Sequence, residues 1–312
     1  MNPLAHLDEA RTVGRAVTEE GLDRLRYQLQ RQIRRSMGLG DEPPAHACSD
    51  PDRAYYPPGS ITRRVNGDLP AMLIGGVAAL LFQMLHPLTM AGVAQHSNYR
   101  EDPLGRLERT AAFLAATTFQ SRDEAEAAIA RVRRVHASVT GIAPDGRPYA
   151  ASDPALLAWV HAAEIRCFLN SALIYGPRPL SVVDQDRYVD ETAKVAIALG
   201  ATDVPHSVSE LDQYFEQVRP ELCLTDEAKT ARNFVLRGVG RWPHEVGAYG
   251  LLVAAAQGAL PGWARRQLHL PAAPVIERLT VRPAVRTVGT ALRWVVAPPA
   301  RPADNGPATR VR

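Results

Sequence analysis

The chain has 312 residues, 46% of them hydrophobic and 22% charged, with a formal net charge of +3. That is enough apolar material for a substantial core without staples, and the small, unclustered positive excess excludes a phosphate-tracking nucleic-acid binder. Cys48, Cys167 and Cys223 are too few and too far apart for a zinc knuckle or a disulfide framework. They suit a reducing compartment, and the polar N-terminus, Met1 to Gln30, has no apolar stretch of a secretory signal. A cytoplasmic location is expected.

Residues 21–38 read as a charged helix ending near Gly38, and 39–68, rich in Pro, Asp and Gly, as a long wrapping loop. The most hydrophobic stretch, Leu69 to Ala94, is interrupted by Gln83 and by His86-Pro87. A membrane span needs about 20 uninterrupted apolar residues, and proline ends a helix. Two buried helices joined at His86-Pro87 are expected, the first capped by Asp68, and no membrane span.

Asp102-Pro103 pairs an N-cap with proline at the first helical position and opens a helix to about Phe119. Ser121 and Glu124 form a capping box for a helix through about Val139, ended by Gly141. Asp153-Pro154 opens the next, closed at Gly176-Pro177. Further helices are expected at about 185–199, 208–218 (behind a capping box from Ser207 to Glu210), 226–237, 245–258 and 281–295. The basic stretches Arg131, Arg133, Arg134 and Arg265, Arg266 read as solvated helix faces. Strand signals are scarce. The expectation is an all-α chain: one domain over 1–296 and a disordered Pro/Ala/Arg-rich tail, 297–312.

Two helices carry candidate chemistry. Ile129, Val132, His136 and Val139 share one face, so His136 points inward on an apolar stripe. A buried imidazole must be bonded or coordinated, and spacing alone leaves both a core histidine on a carbonyl and a metal or haem ligand open. On the helix from Asp102, Arg106, Arg109, Thr110 and Phe113 share a face beside the stripe Leu107, Ala111, Leu114. They suit an anionic or polar ligand, or else surface pairs with Glu101 or Glu108. His86 is expected to bond helix-end carbonyls, and His96 lies near a loop. His161 and Glu164 share a face, but the order reverses the Glu-x-x-His of di-iron sites.

Read together, Gln83…His86-Pro87, Asp102-Pro…Arg106…Arg109-Thr110, and Val135-His136 followed by Pro144-Asp-Gly-Arg-Pro-Tyr149 resemble the MpaB/latex-clearing-protein family of oxygenases. The resemblance covers roughly residues 60–220. It implies a globin-like helical core binding haem b (iron protoporphyrin IX), and cleavage of carbon–carbon double bonds in isoprenoid chains with dioxygen. It makes His136 the axial iron ligand and sets Arg106 and Thr110 beside the haem as cofactor-binding and, with Arg109, catalytic residues, with Gln83 and His86 as cofactor-binding residues lining the pocket and His96 and His161 as further candidates. Arg109 stands where the rubber oxygenases carry a lysine that caps the distal iron. Arginine stays charged and is a poorer ligand, so the distal side is expected to hold water or an open position. The expected function is a haem-b oxygenase acting on a small apolar, isoprenoid or polyketide-like substrate. The alternatives are a non-catalytic haem sensor or carrier, or a haem-free helical interaction protein. Oligomeric state is not legible.

Overall fold

The computed structural model describes residues 27–29, 47–238 and 243–296. The expected helix over 21–38 is described only at 27–29, which is helical, and the tail 297–312 lies outside the described residues. The contacts divide the chain into a large unit, residues 43–289, and a small one made of 1–42 and 290–312.

In chain order the helices are α1 Ile61–Asn66, α2 Leu69–Gln83, α3 Pro87–His96, α4 Pro103–Phe119 and α5 Arg122–Ser138, then a hairpin of β1 Thr140–Ile142 and β2 Pro148–Ala150. There follow α6 Pro154–Tyr175, α7 Val182–Leu199, α8 Val208–Val218, α9 Asp226–Arg237, α10 Pro243–Ala259, α11 Gly262–Gln267, α12 Pro274–Ile276 and, after the π-helical segment Glu277–Val281, α13 Arg282–Val296. The fold is all-α. The two strands pair antiparallel, Gly141 opposite Tyr149. They replace the expected stop at Gly141: the helix ends at Ser138, and the chain turns back through Pro144-Asp-Gly-Arg147, with Gly146 at φ +87°. Gly141 is required there, since a Cβ would stand 2.5 Å from the Tyr149 hydroxyl. Part of the expected loop at 39–68 is also helical, because Ser60 accepts the Arg63 amide and caps α1.

At the centre, α2 packs against α6 and α10. Its sequence, LPAMLIGGVAALLFQ, is apolar all round, as a helix buried on every side must be. Small residues let the axes approach: Ala78, Ala162 and Ala163 are fully buried, and a Cβ on Gly75 would lie 2.6 Å from the Phe168 ring. Phe82, Trp159, Phe215 and Trp263 close this core, Phe82 within 5.4 Å of each of the other three rings. Proline forces the expected break: the residue before Pro87 is pushed out of the helical region, and His86 sits at φ −85°, ψ 116°. The helix pair turns by 106° there. Among the described residues no single helix is long and apolar enough to cross a membrane.

The α4–α5 hairpin is held by α1 and by the segment before it, where the Cys48 and Tyr55 amides donate to the Phe119 and Gln120 carbonyls. Arg63 donates to the Thr118 and Phe119 carbonyls, both at 3.1 Å, and to Cys48 at 2.8 Å. A cation there satisfies helix-end carbonyls that lack intrahelical partners. Arg265, expected on a solvated face, is instead a largely buried partner of Glu277, whereas Arg131, Arg133 and Arg134 are exposed as expected. Replacing Arg63 with leucine strips three charge-assisted bonds, and a loss of about 2–3 kcal/mol is expected. Urea unfolding checks this, and a change within error would remove Arg63 as the hairpin's clamp.

Candidate functional site

The local sequence signals behave as chemistry requires. Asp102 accepts the Gly105 amide, and Ser121 and Glu124 make their reciprocal bonds. The box expected from Ser207 is shared differently: Ser207 accepts from Glu210, but the Glu210 carboxylate takes the His206 amide at 2.8 Å. With turn residues Gln120 and Ser121 between them, α4 and α5 run back along each other in contact. His136 lies as many residues beyond that turn as Gly105 and Arg106 lie before it. An antiparallel pair therefore sets the imidazole level with Arg106.

His136 is half-buried on the expected face, with Ile129 buried and Val132 and Val139 half-buried. The bond to a core carbonyl that its spacing left open is not made: among the described residues its ring has no hydrogen bond, ion pair or aromatic contact. Burial lowers its pKa, so the imidazole is held neutral with a lone pair available. Arg106 is half-buried as well. Its guanidinium donates to Ser97 Oγ at 2.6 Å, and burial, reinforced by the like charge of Arg109, lowers its pKa. Neither arginine pairs with Glu101 or Glu108. Arg109 points to solvent, with 68% of its side chain exposed, and pairs with Asp102 at 3.3 Å. Thr110 is exposed too, and its hydroxyl proton is committed to the Arg106 carbonyl at 3.0 Å.

The end of α3 ties this group together. His96 Nε2 lies 3.1 Å from both the Thr140 carbonyl and the Tyr149 hydroxyl. Tyr149 donates to Gln95 Oε1 at 2.7 Å, and Gln95 donates to the Ile142 carbonyl at 2.9 Å. Because Tyr149 spends its proton on Gln95, the His96 Nε2 must carry a proton and donate to both oxygens. These bonds fasten α3 to the strand that follows α5, so Ser97 on one side and His136 on the other are fixed to the same junction.

Gln83 and His86 form a second group at the opposite end of α3, roughly 15 Å of helix away. His86 is 4% exposed and does not bond helix-end carbonyls. Its Nδ1 is buried without a partner, its Nε2 is 3.7 Å from Glu221, and its ring lies 5.9 Å from that of Trp159. Burial lowers its pKa despite Glu221. The Gln83 carbonyl accepts the Trp159 indole N–H at 3.0 Å. On α6, His161 Nε2 is also buried without a partner. Its pKa is pushed down to about 4 by burial and by His206. Glu164, one turn on, is pushed up to about 7 by burial alone. Among the described residues no group of three or more His, Cys, Asp and Glu side chains could hold a metal ion. The three cysteines are free. Ser97, Tyr149, Trp159 and Glu221 were not legible as neighbours of these residues; nothing in their local sequence marks a contact that only the fold makes.

Fold and site together define an all-α fold centred on α2, with a helical hairpin that presents an imidazole unpartnered among the described residues. The chain belongs to the family described as ER-bound oxygenase mpaB/B'/Rubber oxygenase, catalytic domain, whose model matches residues 63–294. That span reaches well past the stretch carrying the sequence resemblance and makes the protein an oxygenase. No curated protein and no solved structure matches it.

His161 and Glu164 have opposed effects on stability. A histidine lowered to about 4 keeps its contribution above pH 6.5 and loses it as pH falls toward 4. A glutamate raised to about 7 contributes fully below pH 4.5 and loses that as pH rises toward 7. Between pH 6.5 and 4.5 the two slopes cancel. Glu164→Gln removes one, so the variant should lose stability on acidification more steeply, by up to about 1.4 kcal/mol per pH unit. Urea midpoints across that range measure it; parallel curves for both proteins would contradict the assignment.

Proposed function

We propose that this oxygenase is haem-b dependent and acts with dioxygen on a small apolar substrate of isoprenoid or polyketide-like type, as a helical domain extending to residue 296 and located in the cytoplasm. The observation that carries the reading is the ring of His136: half-buried, neutral and without a protein partner among the described residues, on the helix that packs against the one bearing the half-buried Arg106. An imidazole in that condition fits an axial iron ligand, and a single protein ligand suffices where a porphyrin supplies the remaining nitrogens.

When bound, haem supplies the activation of dioxygen. The chain's own residues do the rest. His136 would hold the iron from α5. Arg106, oriented by Ser97, would supply positive charge to a propionate or to a developing negative charge. The Thr110 oxygen, its proton committed to the Arg106 carbonyl, can only accept a bond at the same face. Arg109, tethered outward by Asp102 and permanently charged, would not offer the iron a second protein ligand. Gln83 and His86 sit at the far end of α3 and bear on this site through the helix rather than by contact.

His86 and His161 also keep an unpartnered ring nitrogen, so ligation must be tested against them. Absorption spectra of His136→Ala, His86→Ala and His161→Ala proteins make the comparison. The reading predicts loss of the Soret band in His136→Ala alone, with recovery on adding free imidazole. An unchanged spectrum in that variant, with loss in either other, would move the site to α2–α3 or to α6.

A further inference from the structure

Away from the α4–α5 hairpin, an open cleft of about 470 Å³ lies between α6, α8 and α11, lined by Arg166, Asn170, Asp212, Phe215, Glu216, Arg219, Pro261 and Trp263. It shares no residue with the site described above. Its floor is aromatic, and a guanidinium lies over each ring: Arg219 is 4.5 Å from the Trp263 centroid, and Arg166 is 5.8 Å from that of Phe215.

The charges are arranged unevenly. Arg166 is largely buried, its side chain 11% exposed, while its partner Asp212 is 66% exposed. Arg219 pairs at 2.8 Å with Glu216, also 66% exposed. Arg166 thus lies in the interior, Arg219 is partly exposed at 38%, and both carboxylates stand at the rim. Burial lowers the Arg166 pKa against the opposing pull of Asp212. A guanidinium has five N–H donors, and each of these two makes a single hydrogen bond, to its rim carboxylate. The Nε of Arg219 is buried with no acceptor at all. A buried donor left unmet costs roughly 1–3 kcal/mol, so the cleft lacks an acceptor that the chain does not provide.

We propose that this cleft is a second binding site, for a flat apolar molecule bearing a carboxylate. The apolar body lies against Phe215, Pro261 and Trp263. The carboxylate takes the place of Asp212 on Arg166 and meets the unfilled donors of Arg219, the planar two-oxygen geometry that a guanidinium edge recognises. The site does not depend on the haem reading.

Titration of the full chain with 2-naphthoate, followed by tryptophan fluorescence, tests this, with 2-naphthalenemethanol as the uncharged analogue and inorganic phosphate as the bare anion. Saturable quenching by naphthoate is expected, absent in Trp263→Phe and at least tenfold weaker for the alcohol, as loss of a charge-assisted bond implies. Arg219→Gln should weaken naphthoate binding about tenfold by the same measure. Asp212→Asn, a change at an exposed position, should tighten it several-fold by releasing Arg166. Circular dichroism establishes that each variant is folded. Equal affinity for the alcohol, preference for phosphate over naphthoate, or weaker binding in Asp212→Asn would each overturn the proposal.

Discussion

Everything in the functional account depends on one half-buried imidazole left without a protein partner among the described residues. Half-burial keeps such an imidazole neutral, with a nitrogen lone pair that no protein group uses. His136 carries it on the inner face of α5. The rest of the hairpin is built to hold that ring in place. Arg63 clamps the turn end of α4, and the His96–Tyr149–Gln95 network fastens the other end through the short β-hairpin. Between them, Arg106 is steered inward by Ser97 and Arg109 outward by Asp102. Two arginines one turn apart on the same helix therefore meet opposite environments.

The parts of the fold legible in the sequence are those decided within a few residues. Asp102-Pro103, Asp153-Pro154 and the Ser121–Glu124 box each specify a helix start through bonds that close inside one turn, and the structure makes each of them. The break at His86-Pro87 is equally local. What escaped depends on partners far away in sequence. Gly141 reads as a helix stop, yet its real constraint is the Tyr149 hydroxyl across a hairpin. The inward stripe bearing His136 was legible from spacing, but that its ring would find no carbonyl was not. Likewise Arg106 and Arg109 share a helical face on paper, and only Ser97 and Asp102 separate them. His86 was expected to cap carbonyls; the fold instead places it against Trp159 and Glu221.

Unmet polar atoms recur at several places: His86 Nδ1, His161 Nε2 and Arg219 Nε. In a core whose helices are otherwise closely packed around Gly75 and paired alanines, such atoms mark positions where packing alone did not choose the residue. The cleft beside Trp263 belongs to this set. Its aromatic floor is continuous with the core cluster of Phe82, Trp159 and Phe215, so the surface that would receive a ligand is backed by the packed core.

The central claim, that the hairpin's free imidazole is there for iron, is tested most directly by the absorption spectrum of the purified protein before and after dithionite and then carbon monoxide. The account predicts a Soret band that shifts on reduction and again on carbon monoxide. A colourless protein that also fails to develop that band when hemin is added would contradict it.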